Sequence, residues 1–141
     1  MRKFFRNTIG AIFTLSVIAC IAVFYLLLHA PAFENGENYT FYLGANSSAL
    51  AKASPNPVLE KYAYSVKGES VQYSGNRLEE LTQRYRAKLL FTEEACGVTN
   101  YYFYSPLLKN SVELGGYAVN LHIAVSAEKT VAGTPIIFGG F

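Results

Sequence analysis

The chain has 141 residues, a formal charge of +2 and 51% hydrophobic side chains, with two cysteines and no tryptophan. Three of its twelve cations, Arg2, Lys3 and Arg6, precede the first apolar run; from Phe33 onward nine Lys/Arg face ten Glu, a net charge of −1. A near-neutral sequence without a basic run lacks the electrostatic footprint of a nucleic-acid binder, and about a hundred residues can bury a core without disulfides or metal.

Residues 1–8 form a cationic N-terminus, and residues 9–28 contain no charged side chain. Twenty residues at about 1.5 Å rise each reach about 30 Å, the hydrocarbon thickness of a bilayer. Twelve of the twenty are Leu, Ile, Val or Phe. At about −0.3 to −0.6 kcal/mol each they contribute about −4 to −7 kcal/mol to insertion. Thr14 and Ser16 can return their hydroxyls to the helix backbone. Residues 9–28 are therefore expected to span the lipid bilayer. Glu34 and Glu37 follow the run, and no Lys or Arg appears until Lys52. The positive-inside rule then puts the N-terminus in the cytoplasm and the rest outside, as a single-pass signal anchor of the cytoplasmic membrane. Two other readings export the same domain. Ala30-Pro31-Ala32 is an A-x-A arrangement that would permit cleavage after Ala32, although the apolar run is long for a signal peptide. Val17-Ile18-Ala19-Cys20 fits a permissive lipobox with Cys20 lipidated, although residues 21–28 are apolar where a polar tether is usual.

Residues 29–38 read as a polar linker and residues 39–141 as one extracytoplasmic domain. Tyr39-Thr40-Phe41-Tyr42-Leu43 suits a strand, Gly44-Ala45-Asn46-Ser47-Ser48 breaks it, and residues 49–53 suit a second. Pro57 can open a short helix over 57–64. Residues 66–73 read as a strand. Asn76 and Glu79 have the spacing of a capping box, and Leu78, Leu81, Tyr85 and Leu89 recur at helical spacing, so a helix is expected over 76–89. Residues 88–92 and 98–104 are β-prone. Residues 112–114 and 117–125 flank Gly115-Gly116 as a hairpin, and 130–138 closes the chain. The expected fold class is an N-terminal transmembrane helix plus an α+β domain, a mostly antiparallel sheet with one or two helices on one face.

Three stretches carry a family resemblance: 66–71, residues 92–106 around Cys96-Gly97 and Tyr101-Tyr102-Phe103-Tyr104-Ser105-Pro106, and Asn120-Leu121-His122-Ile123-Ala124-Val125 followed by Gly133-Thr134-Pro135-Ile136-Ile137. They resemble small exported proteins of spore-forming Gram-positive bacteria. The last stretch also resembles the C-terminus of YwmB-like proteins, which implies a fold like the TATA-box-binding protein, a curved antiparallel sheet backed by helices. The resemblance covers about the last half of the domain and brings no activity with it; such a fold does not imply DNA binding.

Cys96 and His122 form the only Cys/His pair in the domain, and a thiol hydrolase or redox site needs a base within reach of sulfur and a group that orients the base. Asn120 or Glu93 would be that group. Asn120 and His122 are two apart on a strand and share a face, expected to be polar and solvated, which argues against catalysis. A zinc shell has too few ligands, with no Asp, one domain Cys and His29 at the membrane boundary. No metal and no cofactor are expected. Glu79-Glu80 and Glu93-Glu94 read as solvated surface. The aromatic run Tyr101, Tyr102, Phe103 and Tyr104 is the candidate binding surface, because alternation sends one pair to the core and leaves the other to a second layer or a partner. The sequence thus points to a non-enzymatic module that binds an envelope protein or a cell-wall or spore-envelope component. The alternatives are a thiol-dependent protein using Cys96, and a homo-oligomer joined through a sheet edge.

Overall fold

The computed structural model describes residues 2–28, 30–44, 51–54, 57, 58, 61 and 64–139, and it contains two compact units, 1–30 and 31–141. The first unit is helix α1, Arg2–Leu28. Its residues 8–28 are long and apolar enough to cross a membrane, and none of that stretch is buried. The Thr14 hydroxyl donates to the Gly10 carbonyl at 2.9 Å and the Ser16 hydroxyl to the Ile12 carbonyl at 3.0 Å. Both polar groups are satisfied within the helix, as an apolar surrounding requires.

The second unit is built on strands β1 (Asn38–Tyr42), β2 (Ala51–Ser54), β3 (Gly68–Ser74), β4 (Lys88–Ala95), β5 (Val98–Tyr104), β8 (Leu121–Val125) and β9 (Lys129–Thr134). They form one sheet in the order β2-β1-β3-β9-β8-β5-β4, every neighbouring pair antiparallel. Strands β6 (Val112–Leu114) and β7 (Tyr117–Val119) make a separate hairpin. Helix α2 is Leu78–Arg84, so the α+β class holds. The turn expected at 45–48 lies outside the described residues, as does most of the short helix expected over 57–64.

Helix α2 is half as long as its apolar spacing suggests. Asn76 Oδ1 accepts the Leu78 amide at 3.0 Å, but Arg77 occupies the cap and Glu79 bonds Gln83 instead of closing a capping box. At the other end Arg86 turns left-handed, at φ 49°. Its amide donates to Gln83 O and the Ala87 amide to Thr82 O, the paired bonds of a Schellman stop. Leu89 is thereby released from the helix into β4.

One sheet face makes the main core. Leu81 of α2 and Tyr85 at its C-cap pack on Val71, Tyr73, Phe103, Leu121, Ile123 and Ala132. Residues 31–37, expected as part of the linker, belong to this core as a strap across the same face. Phe33 is 1% exposed and meets Tyr85 edge to face at 5.5 Å. Three successive strap carbonyls accept tyrosine hydroxyls: Ala32 from Tyr85 at 2.6 Å, Phe33 from Tyr39 at 3.1 Å and Glu34 from Tyr73 at 3.0 Å. Burial raises the Tyr73 phenol and pushes Tyr85 up to about 12, so both remain protonated donors at neutral pH. The buried Glu69 carboxylate accepts the Ala32 amide and pairs with Lys61 Nζ at 2.7 Å. Gly36 lets the strap pass close to β3, because a Cβ there would lie 1.9 Å from Val71 Cγ2.

Truncating Phe33 should therefore cost what a core residue costs. Phe33→Ala is expected to lower the unfolding free energy by about 3–5 kcal/mol, and Gly36→Ala by about 1–3 kcal/mol through overpacking. Denaturant titration of the full chain in detergent measures both. Losses under 1 kcal/mol in each would show the strap to be peripheral.

Candidate functional site

The sheet's second face has no described helix on it. Register aligns a single row of side chains across it: Thr40 of β1 opposite Ser70, Ser70 opposite Gly133, Gly133 opposite His122, His122 opposite Tyr102, and Tyr102 opposite Phe91. The row is aromatic at one end and polar at the other.

At the aromatic end three rings stack. Phe91 and Tyr102 lie 4.4 Å apart at 18°, and Tyr102 and His122 lie 4.4 Å apart at 20°. Tyr117 of the small hairpin approaches Phe91 at 5.8 Å. The Tyr102 hydroxyl donates to Glu93 at 3.1 Å; burial and then that carboxylate push its phenol up to about 12. The stack depends on an irregularity of β4. Leu89 pairs with Phe103 on the core face, yet Phe91 pairs with Tyr102 on the opposite face, because a bulge between them absorbs one residue. Strict alternation would have sent Phe91 into the core.

His122 is not on a solvated face. It is 4% exposed, and the expectation from strand alternation fails because the chain's own C-terminal segment covers it. The Ile137 amide donates to Nδ1 at 3.3 Å, which fixes Nδ1 as the acceptor; Nε2–H then donates to Asn100 Oδ1 at 3.0 Å. Burial lowers the imidazole pKa to about 4, so the ring is neutral. Gly133 makes room for this return, since a Cβ there would sit 2.6 Å from Ile137 Cγ1. Further along, Phe138 packs edge to face on Tyr42 at 5.3 Å.

Asn120 is also buried, and it orients no catalytic base. It interrupts the expected strand over 117–125, separating β7 from β8. Its Oδ1 accepts the Ser105 amide at 2.6 Å, and its Nδ2 donates to Ser105 O at 2.7 Å and Leu108 O at 3.0 Å. It is a clasp for the 105–108 loop.

Cys96 stands apart from His122. It occupies the two-residue turn with Gly97 between β4 and β5, both with positive φ, and is exposed. Tyr102 lies opposite His122, while Val98, at the base of that turn, is four residues further along β5. At about 3.4 Å per residue the turn begins about 14 Å from the histidine. The structure does not assemble a thiol–imidazole pair. Among the described residues no group of three or more His, Cys, Asp or Glu is placed to hold a metal.

Of the aromatic run, Phe103 is core and Tyr101 packs against the core, stacked on Phe103 at 6.3 Å. Tyr102 is half-buried in its stack. Only Tyr104, 45% exposed, remains as surface, joined there by Tyr117 at 48%. The polar end of the row opens into a groove of about 230 Å³ between β1, β3, β9 and the C-terminal segment. Sequence reading singled out neither Tyr117 nor this groove, because both arise from pairing between distant segments. Comparison with known proteins gives no match: no family model, no curated protein and no solved structure is similar to the chain.

The buried neutral histidine has a measurable consequence. Unfolded, it titrates near 6.5; folded, near 4. The unfolded state binds the proton more tightly, so stability is full above about pH 6.5, falls as pH drops through that window and has lost about 3 kcal/mol below pH 4. Tyr102 and Asn100 of β5 and the Ile137 amide contact the ring, with Glu93 of β4 one hydrogen bond further away. His122→Gln is expected to flatten the slope between pH 7 and 5 in chemical denaturation series. An unchanged slope would assign the acid sensitivity elsewhere.

Proposed function

We propose that this chain is a non-enzymatic, single-pass membrane module whose N-terminus is cytoplasmic and whose 31–141 domain lies outside, where it binds an envelope protein or a cell-wall or spore-envelope component. The observation that carries this reading is the second sheet face: it is rich in aromatic and neutral polar side chains and bears no described helix. The helix long and apolar enough to span a bilayer, with cations before it and acids after it, supports the topology. The resemblance of 120–125 and 133–137 to YwmB-like proteins favours the same exported setting. The separation of Cys96 from His122 leaves the thiol-dependent alternative without its base. Proteins that act by contact need a surface with aromatic anchors and few charges, and Tyr104, Tyr117 and Phe91 supply one.

The exposed position of Cys96 gives a direct topology test. A membrane-impermeant maleimide should label Cys96 in intact cells, with Cys96→Ser as the blank; labelling only after lysis would overturn the export. A photo-crosslinking residue at position 104 or 117 should capture an envelope component that the same residue at position 79, on α2, does not. Equal capture from all three positions would remove the second face as the binding surface.

A further inference from the structure

The polar groove on the second face has the character of a ligand site. Among the described residues the core face engages most of its polar side chains: Tyr39, Tyr73 and Tyr85 bond the strap, Glu69 bonds Lys61 and Ala32, and Thr130 bonds Gly75 O at 2.7 Å. The groove is different. Among the described residues the side chains of Asn38, Thr40, Gln72 and Lys129 find no partner, although Thr40, Gln72 and Lys129 are half-buried. Desolvating such groups without partners costs free energy, and the cost is recovered when a ligand supplies the missing bonds.

These groups converge because of the register. Asn38 is opposite Gln72, Thr40 opposite Ser70, and Lys129 opposite Ser74 beside them. Ser70 Oγ and Tyr42 OH share one hydrogen bond at 3.1 Å, which leaves one hydroxyl proton of the pair free for a ligand. Tyr42 itself packs edge to face on Phe138 at 5.3 Å. Two amides, which donate and accept, stand with three hydroxyl-bearing residues, Thr40, Tyr42 and Ser70. Among the described residues Lys129 is the one charged side chain of the lining and no carboxylate pairs with it; the neighbouring Glu37 instead accepts the Ser74 hydroxyl at 2.5 Å.

The geometry points to a binding site for a small hydroxyl- and amide-rich molecule carrying one carboxylate, with Lys129 pairing the carboxylate and Thr40, Gln72 and Asn38 bonding the neutral polar groups. A single ammonium matches a monoanion; a phosphate dianion is usually met by an arginine fork or several backbone amides, and among the described residues the lining has no arginine. The volume accommodates a ligand of sugar-acid or dipeptide size. This inference rests on the binding-module reading and names the ligand class for the same face. Amino-sugar acids and short peptides of a cell wall share that chemistry.

Titration of the full chain in nanodiscs distinguishes these sources. N-acetylmuramic acid and alanyl-alanine are the two carboxylate arms, and N-acetylglucosamine is the sugar without the carboxylate. One carboxylate arm should bind and shift the NMR signals of residues 40, 70, 72 and 129. N-acetylglucosamine should bind at least tenfold more weakly than N-acetylmuramic acid if the sugar arm binds. Lys129→Met should weaken the bound arm about tenfold, whereas Glu79→Gln, on α2, should leave it unchanged. Thr40→Val repeats the test without altering charge. No binding by either carboxylate at tens of millimolar, or equal binding by wild type and Lys129→Met, would overturn the site. Crosslinking from positions 104 and 117 that persists in such a case would show the module reading standing without the groove; loss of both would remove both.

Discussion

The strap from 31 to 37 is the constraint on which the domain depends. A single antiparallel sheet must bury at least one face, and a seven-residue helix is too short to cover seven strands. Phe33 fills the uncovered part of that face. Its backbone cannot enter the core unpaired, since an unsatisfied buried carbonyl costs about 1–3 kcal/mol. Tyrosine solves this problem well: the ring adds to the core while the hydroxyl reaches out from it. Three such hydroxyls meet three successive carbonyls, and Glu69 takes the Ala32 amide just before them. The abundance of tyrosine in this domain is therefore in part structural, a means of sealing a backbone segment into an apolar layer.

Once one face is committed to the strap and α2, the other is met, among the described residues, by the C-terminal segment and, at Phe91, by Tyr117 of the small hairpin. That segment crosses the middle, where Gly133 allows Ile137 to approach and His122 receives its amide. The two ends of the row are left unlike each other. Toward β4 the rings stack upon one another and are exposed only at their margins. Toward β1 the side chains are short and polar and stand around a groove. The histidine marks the boundary, and it is a structural residue there: neutral, stacked, and hydrogen-bonded through both nitrogens.

The aromatic run illustrates how far pattern reasoning carries. Alternation correctly separates Tyr101 and Phe103 from Tyr102 and Tyr104, because strand geometry admits no other arrangement. It does not say that Tyr102 is occupied by neighbours on both sides. That follows from a bulge in β4 and from the pairing of β5 with β8, neither of which is encoded locally. Asn120 and His122 show the same limit more sharply. Polarity suggested a wet face, and the residues are buried because loop 105–108 and the C-terminal segment, both remote in sequence, come to lie on them.

The sequence by itself determined the apolar helix, the strand-rich α+β domain, the strands near 39–43, 66–73 and 98–104, and the Gly115-Gly116 hairpin. These follow from local chemistry: transfer free energy, period-two alternation and the backbone freedom of glycine. Tertiary structure alone decided that the supposed linker is core, that α2 stops at Arg84, that Cys96 and His122 are far apart, and that unpartnered polar groups gather in one groove. Each of these depends on which strand lies beside which, and strand order is a property of the assembled sheet rather than of any segment within it.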